Sequence, residues 1–218
     1  MKSVLIIGMG RFGYHLAHKM KALGNDVMIV DRDASRVNEI AEEFTDSHIG
    51  DCCNAAVIRS LGVGSMDLCF VSIGEDFQSS LIITTLLKHE GAKKVVAKAN
   101  QEIQAELLLR IGADEIIYPE RDLAENLAVR YSANNVFDYI QLTPEYSIYE
   151  IPVPTSWNGK TIQEVDVRKK HKVNIVAVKG KNALQPMPGA DYVFRPEDHI
   201  MVIGKPNDVL KLTEKRKH

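Results

Sequence analysis

Gly8-Met9-Gly10-Arg11-Phe12-Gly13 is the segment that most narrows what this chain can fold into. It follows the apolar run Val4-Leu5-Ile6-Ile7 and precedes a stretch where Leu16, Met20 and Leu23 recur at helical spacing. Strand, glycine-rich turn and helix, in that order, form the context in which G-x-G-x-x-G carries meaning. Each glycine answers a steric need. Gly8 permits a tight turn, Gly10 lets phosphate oxygens approach the backbone, and Gly13 lets the helix lie close on the strand. The N–H groups at the helix start then face the phosphates, and the helix dipole adds attraction. Asp31 closes the second apolar run, 23 residues after Gly8, where a carboxylate accepts hydrogen bonds from ribose hydroxyls. Its charge also repels a ribose 2′-phosphate, which disfavours NADP. Together these residues predict an adenine-nucleotide site.

The rest of the first half repeats the same rhythm. Apolar runs recur at residues 27–30, 47–49, 68–71, 94–97 and 115–118, separated by amphipathic stretches such as the one carrying Ile103, Leu107 and Ile111. Short, near-continuous apolar runs suit strands buried on both faces of a parallel sheet. Asp76, Ser79 or Ser80 can cap the helix that holds Ile82, Ile83, Leu86 and Leu87. Strand-helix alternation of this kind predicts an α/β fold with a doubly wound sheet.

The texture changes near residue 134. Seven of the eight prolines lie from Pro144 onward, beside strand-like runs at residues 146–153, 173–178 and 199–203. Helices are expected to start near Thr161 and Asn207. The expected organisation is a nucleotide-binding domain over 1–133, a crossover linker over 134–143 and a small α+β domain over 144–218. Residues 1–143 hold 14 basic and 20 acidic residues, and residues 144–218 hold 13 and 9. Lys215-Arg216-Lys217 reads as a solvated tail.

Composition removes several classes. With 27 Lys and Arg against 29 Asp and Glu the net charge is −2, which argues against a dedicated nucleic-acid binder. Hydrophobic residues at 45% and charged residues at 26% suit a soluble chain with a real core. The apolar runs are too short to span a membrane, and Gly8 interrupts the first too early for a signal peptide. Cys52, Cys53 and Cys69 lack a C-x-x-C pair and read as reduced cytosolic thiols.

Arg11 is the informative position inside the loop. A guanidinium at the helix start reaches terminal phosphates in a charge-assisted contact worth roughly 1.5–3 kcal/mol. NAD carries two bridging phosphates and does not need such a cation, whereas ATP or ADP uses it. Phe12 and Arg32 lie beside these residues. Other candidates end successive strands, on the sheet edge where ligands sit. Asp51 and Cys52 end the third and can touch the base. Ile73 and Gly74 end the fourth, and Lys98 and Asn100 the fifth. Glu120 follows the sixth. Lys98 can neutralise phosphate. Glu120 can hold a divalent cation such as Mg²⁺ bridging phosphates, since Mg²⁺ commonly takes one carboxylate plus phosphate oxygens.

Missing motifs matter as much. No Tyr is followed four residues later by Lys, and neither G-x-S-x-G nor H-E-x-x-H occurs. Asn158-Gly159-Lys160-Thr161 imitates a P-loop, but Pro154 stands where its leading glycine is needed, so the segment reads as a turn before a helix. The seven histidines show no metal-ligand clustering. The second domain is small for a dehydrogenase. The nucleotide reads as a signal, and the protein as no enzyme.

Ile7-Gly8-Met9-Gly10-Arg11-Phe12-Gly13, Asp31, Ser72-Ile73-Gly74, Lys98-Ala99-Asn100, Gly112-Ala113-Asp114 and Tyr118-Pro119-Glu120-Arg121-Asp122 together resemble the cytosolic regulatory (RCK) subunits of bacterial Ktr/Trk potassium uptake systems. The resemblance covers nearly the whole chain and is closer to the Ktr type than to the NAD-linked Trk type. It implies a Rossmann-like N-terminal lobe, a crossover segment near residues 120–143 that pairs two subunits, and a C-terminal lobe that also dimerises. Four dimers would form an octameric ring beneath a membrane-embedded potassium-translocating subunit, on the cytoplasmic face. ATP would favour the active ring and ADP the inactive one. Carried over residue by residue, Arg11 would contact the terminal phosphate and Asp31 the ribose. Lys98 would meet the phosphates or a neighbouring subunit, and Glu120 a cation near the γ-phosphate. The C-terminal lobe also looks like a cyclic di-AMP receptor, with Asp166, Arg168, Asn174 and Ile175 in register and Gln163 departing from the usual aliphatic. The competing readings are an NAD(H)-binding Trk-type regulator and an NAD-dependent oxidoreductase. A DNA-binding redox sensor would need a helix-turn-helix with a basic face, and none is visible.

Overall fold

A computed structural model describes residues 1–132, 136–181 and 183–213. The chain divides into two compact units, Met1–Arg121 and a second from Asp122 onward. In the first, strands and helices alternate in the order β1 (Ser3–Ile7), α1 (Arg11–Ala22), β2 (Asp26–Asp31), α2 (Ala34–Ile40), β3 (Asp46–Ile49), α3 (Ala55–Ser60), β4 (Leu68–Val71), α4 (Phe77–His89), β5 (Val95–Lys98), α5 (Glu102–Arg110) and β6 (Glu115–Ile117). The division falls inside α6 (Pro119–Ser132). All six strands pair in parallel in the order β3-β2-β1-β4-β5-β6, the doubly wound Rossmann-like arrangement.

The period of two along β1 builds two cores at once. Leu5 and Ile7 join Ile58, Ile83, Leu87 and Leu108 on one face, while Val4 and Ile6 join Ala17, Ile40 and Phe44 on the other. Leu5 and Ile6 are fully buried, each contributing about 1.5–3 kcal/mol. Because α1 returns over one face and α4 over the other, the chain parts between β1 and β4. A crevice opens there at the carboxyl ends of the strands.

The expectation that all six runs are buried on both faces holds for the interior strands and fails at the edges. β3 is largely exposed, with Ile49 at 54%, and β6 is half-buried. An edge strand has a neighbour on one side only, so its side chains stay partly open.

The second unit is a five-stranded antiparallel sheet in the order β10-β9-β11-β8-β7. Its elements are β7 (Asp138–Gln141), β8 (Ser147–Pro152), α7 (Ile162–Val165), α8 (Val167–His171), β9 (Asn174–Lys179), β10 (Leu184–Pro186), β11 (His199–Gly204) and α9 (Pro206–Thr213). Tyr149, Ile151, Trp157, Phe194, Ile200 and Val202 form its core. Thr161 caps α7 in a capping box with Glu164, after a turn with Gly159 at φ +74. The false P-loop is therefore a turn and cap. β10 is a strand the sequence did not announce, and Pro186 is tolerated because β10 is an edge. Residues 134 and 135 of the expected linker, and the basic tail at 215–217, lie outside the described residues.

Candidate functional site

The glycine loop is shaped by three contacts. Gly8 sits at φ +98, a conformation L side chains rarely adopt, and its N–H donates to the Val30 carbonyl at 2.8 Å. A Cβ at Gly13 would overlap the Gly8 carbonyl oxygen and stand 2.6 Å from Ser72 Oγ. At Gly10 a Cβ would meet nothing within 4 Å, so the space above it is open. Gly10 is also the N-cap of α1 and caps it with no side chain. The first N–H groups of α1 are thus left to an incoming acceptor. These features fit a phosphate.

Asp31 is buried and already holds the loop. Its Oδ2 accepts from Met9 N–H at 2.6 Å and its Oδ1 from Asp33 N–H at 2.9 Å. Each carboxylate oxygen keeps a further lone pair for a ribose hydroxyl. Ser72 does similar positioning work from β4, donating to the Gly8 carbonyl at 2.5 Å.

A cleft of about 460 Å³ runs along this edge. It is bordered by Gly8, Gly10, Arg11, Phe12, Asp31, Arg32, Asp51, Cys52, Ile73, Gly74, Lys98, Asn100 and Glu120. Of the residues predicted for the nucleotide, Gly13 alone lies behind the wall, where it lets α1 approach β1. At the β5–β6 end, Lys98 is nine-tenths buried and donates to Glu120 Oε1 at 2.6 Å. That hydrogen bond, with the charges of Lys98 and Arg11, holds the Glu120 carboxyl below the usual carboxylate range. A Cβ at Gly74 would come 3.1 Å from Lys98 Nζ, so Gly74 makes room for the lysine. Asn100 Nδ2 donates to the Gly74 carbonyl at 2.6 Å, which ties the β4 and β5 loops together.

The β2–β3 end differs in character. Asp51 Oδ1 accepts from Cys53 N–H at 2.9 Å. Burial, helped by the charges of Asp51 and Asp31 and by Cys53, pushes the Cys52 thiol up to about 12. Cys52 is therefore a neutral wall and no nucleophile. Arg32 Nη1 stands 3.5 Å from Asp76 Oδ2, and Arg36 Nη1 stands 3.7 Å from Asp31 Oδ2.

Sequence reasoning missed Arg36, Cys53, Asp76 and Ser79 as cleft residues. Arg36 carried a signal, lying in the first turn of α2 only five residues after Asp31. Asp76 was read as a cap and is one, accepting from Ser79 N–H at 3.0 Å. Only the strand order brings it to the cleft.

Asp166, Arg168, Asn174 and Ile175 lie in the second unit. Asp166 joins α7 to α8 at φ 52, Arg168 is exposed on α8, and Asn174 and Ile175 open β9.

No group of three metal-ligating side chains occurs among the described residues. Glu120 supplies one carboxylate, with one oxygen held by Lys98. This donor set does not make a metal site by itself.

The TrkA-N domain family matches residues 4–119 and the TrkA-C domain family residues 147–217. The chain is 36% identical over 217 residues to the Ktr system potassium uptake protein C of Bacillus subtilis (strain 168), covering 100% of this chain and 98% of that one. The GsuK RCK domain superposes with a TM-score of 0.67 at 18% identity, over 100% of this chain and 48% of its own. The GsuK channel bound to NAD superposes with a TM-score of 0.68 at 20% identity, over 98% of this chain and 39% of its own. These structures share the RCK fold, and this chain spans less than half of their length.

Proposed function

Since the chain belongs to the family with TrkA-N and TrkA-C domains that includes the Ktr system potassium uptake proteins, we propose that it is a nucleotide-sensing regulatory subunit of a potassium uptake system. ATP favours its active form and ADP its inactive form. The observation carrying this reading is the charged end of the cleft, where Arg11, buried Lys98 and Glu120 converge. ATP and ADP share the adenosine and two phosphates, so those contacts hold the site without selecting a state. An equilibrium moves only by differential binding, which leaves the groups that feel the γ-phosphate. A divalent cation such as Mg²⁺ would arrive on the phosphate oxygens and take at most the Glu120 carboxylate.

The partner is a membrane-embedded potassium-translocating subunit, and the chain acts at the cytoplasmic face of the membrane. No described helix is long and apolar enough to cross a membrane. Leu123, Leu127 and Tyr131 form an exposed stripe on α6, at spacings of four residues, and Ile140 and Leu142 are exposed at β7. This supports pairing of two copies, with dimers assembling into an octameric ring. Asp166, Arg168, Asn174 and Ile175 are the residues we assign to cyclic di-AMP. No nucleic acid is bound and no reaction is catalysed.

The second reading is an NAD(H)-binding regulator, favoured by the fold shared with the NAD-bound channel. A nicotinamide ring would have to lie against the Lys98–Glu120 pair, which suits phosphate better. Titration calorimetry with ATP, ADP and NADH on the purified chain separates the two. Tighter ATP and ADP than NADH is expected, and NADH binding that ATP cannot displace would overturn the proposal. Loss of nicotinamide absorbance with any small carbonyl substrate would instead make it an oxidoreductase.

A further inference from the structure

Five consecutive basic residues, Arg168-Lys169-Lys170-His171-Lys172, cover α8 and its C-cap. Val167 and Val173 flank them, and both are buried in the second unit's core. Val167 and His171 are four apart and share one side of the turn. His171 lies half-buried against Trp157, with ring centroids 5.1 Å apart. The remaining four, Arg168, Lys169, Lys170 and Lys172, are exposed. Asp166 before the helix and Lys172 after it are left-handed, at φ 52 and 56, so the chain turns sharply at both ends. The buried valines fix the turn in place with its cations outward.

Several lysines elsewhere in the chain are neutralised. Lys88, Lys93, Lys94, Lys98, Lys179 and Lys211 each hold a carboxylate at 3.2 Å or less. Arg168, Lys169, Lys170 and Lys172 hold none among the described residues. Basic residues near a helix C-terminus do complement its dipole. A single-turn helix has a small dipole, however, and that effect does not call for four cations.

We propose that this turn is a docking surface for an anionic lipid bilayer. A bilayer is fluid and flat, so recognition needs outward charge and no shaped groove. A nucleic acid fits less well, because a helix about 7.5 Å long is too short to lie along a groove. The inference goes beyond nucleotide sensing and does not depend on it.

The test floats the full chain with phosphatidylcholine vesicles, with and without phosphatidylglycerol, at low and high salt. Binding is expected only with the anionic lipid and should be screened by salt. The triple variant Lys169→Glu, Lys170→Glu, Lys172→Glu should lose roughly tenfold or more of the partitioning. The neutral set Lys169→Gln, Lys170→Gln, Lys172→Gln should lose less, with an unchanged melting temperature. It serves as the folded comparison if charge reversal disturbs folding. Arg168 is left in place because it belongs to the cyclic di-AMP proposal. A variant with Lys215→Ala, Arg216→Ala and Lys217→Ala should bind like the wild type. The idea is overturned if wild type ignores anionic vesicles, if the tail variant alone abolishes binding, or if a short DNA duplex displaces the protein from vesicles.

Discussion

Lys98 Nζ and Glu120 Oε1 stand 2.6 Å apart and join the end of β5 to the first turn of α6. The two partners are unequal, since the Lys98 side chain is 9% exposed and that of Glu120 is 67% exposed. A buried ammonium needs an anion beside it, whereas an exposed carboxylate is hydrated without one. An incoming phosphate can therefore replace Glu120 at Lys98 with little loss.

Opposite effects should follow from removing the two halves of this pair. In the presence of a metal chelator, Glu120→Gln should tighten ATP several-fold, because a negative charge leaves and Lys98 is freed. Lys98→Ala should weaken ATP by roughly tenfold or more. Calorimetric titration of both variants checks this, and changes of the same sign would contradict the exchange.

Arg11→Ala should cost ATP about 1.5–3 kcal/mol and ADP markedly less. The ATP/ADP affinity ratio then shrinks. Equal losses for both nucleotides would show that Arg11 does not feel the terminal phosphate.

Two glycines of one loop should respond differently to alanine. At Gly13 the new methyl has no room beside the Gly8 carbonyl and Ser72 Oγ. Gly13→Ala should therefore lower stability by about 1–3 kcal/mol and abolish nucleotide binding. At Gly10 the methyl enters open space at φ −69. Gly10→Ala should keep the melting temperature within a few degrees and still block phosphate approach. Thermal melts beside ADP titrations separate the two cases.

Glu150 predicts how the second unit responds to acid. Burial favours its neutral form, but hydrogen bonds from His199 Nδ1 and Lys179 Nζ, each 2.9 Å, outweigh that and hold the carboxyl below its ordinary value. A carboxylate of lowered folded pKa contributes stability above the unfolded value of roughly 4.3 and loses it as pH falls through the folded value. The melting temperature should drop as pH falls below about 4. Glu150→Gln should start about 1–2 kcal/mol less stable at pH 7, a modest figure because Lys179 is half exposed, and then decline less steeply in acid. Parallel slopes for wild type and variant would show that Glu150 does not carry the effect.

The sequence by itself determined the strand-loop-helix opening, the parallel sheet and the turn nature of residues 158–161. Each follows from a local steric or periodic rule: glycine where backbones nearly touch, apolar runs where both faces are covered, and a capping pair where a helix starts. It also named most of the cleft wall, since residues that end parallel strands share one edge. Only the tertiary structure decided that β3 and β6 are edges, that Asp76 reaches the cleft, and that Glu120 is held by Lys98. Those facts depend on strand order and on which side chains meet across 22 or more residues of chain, and no local pattern encodes such distances.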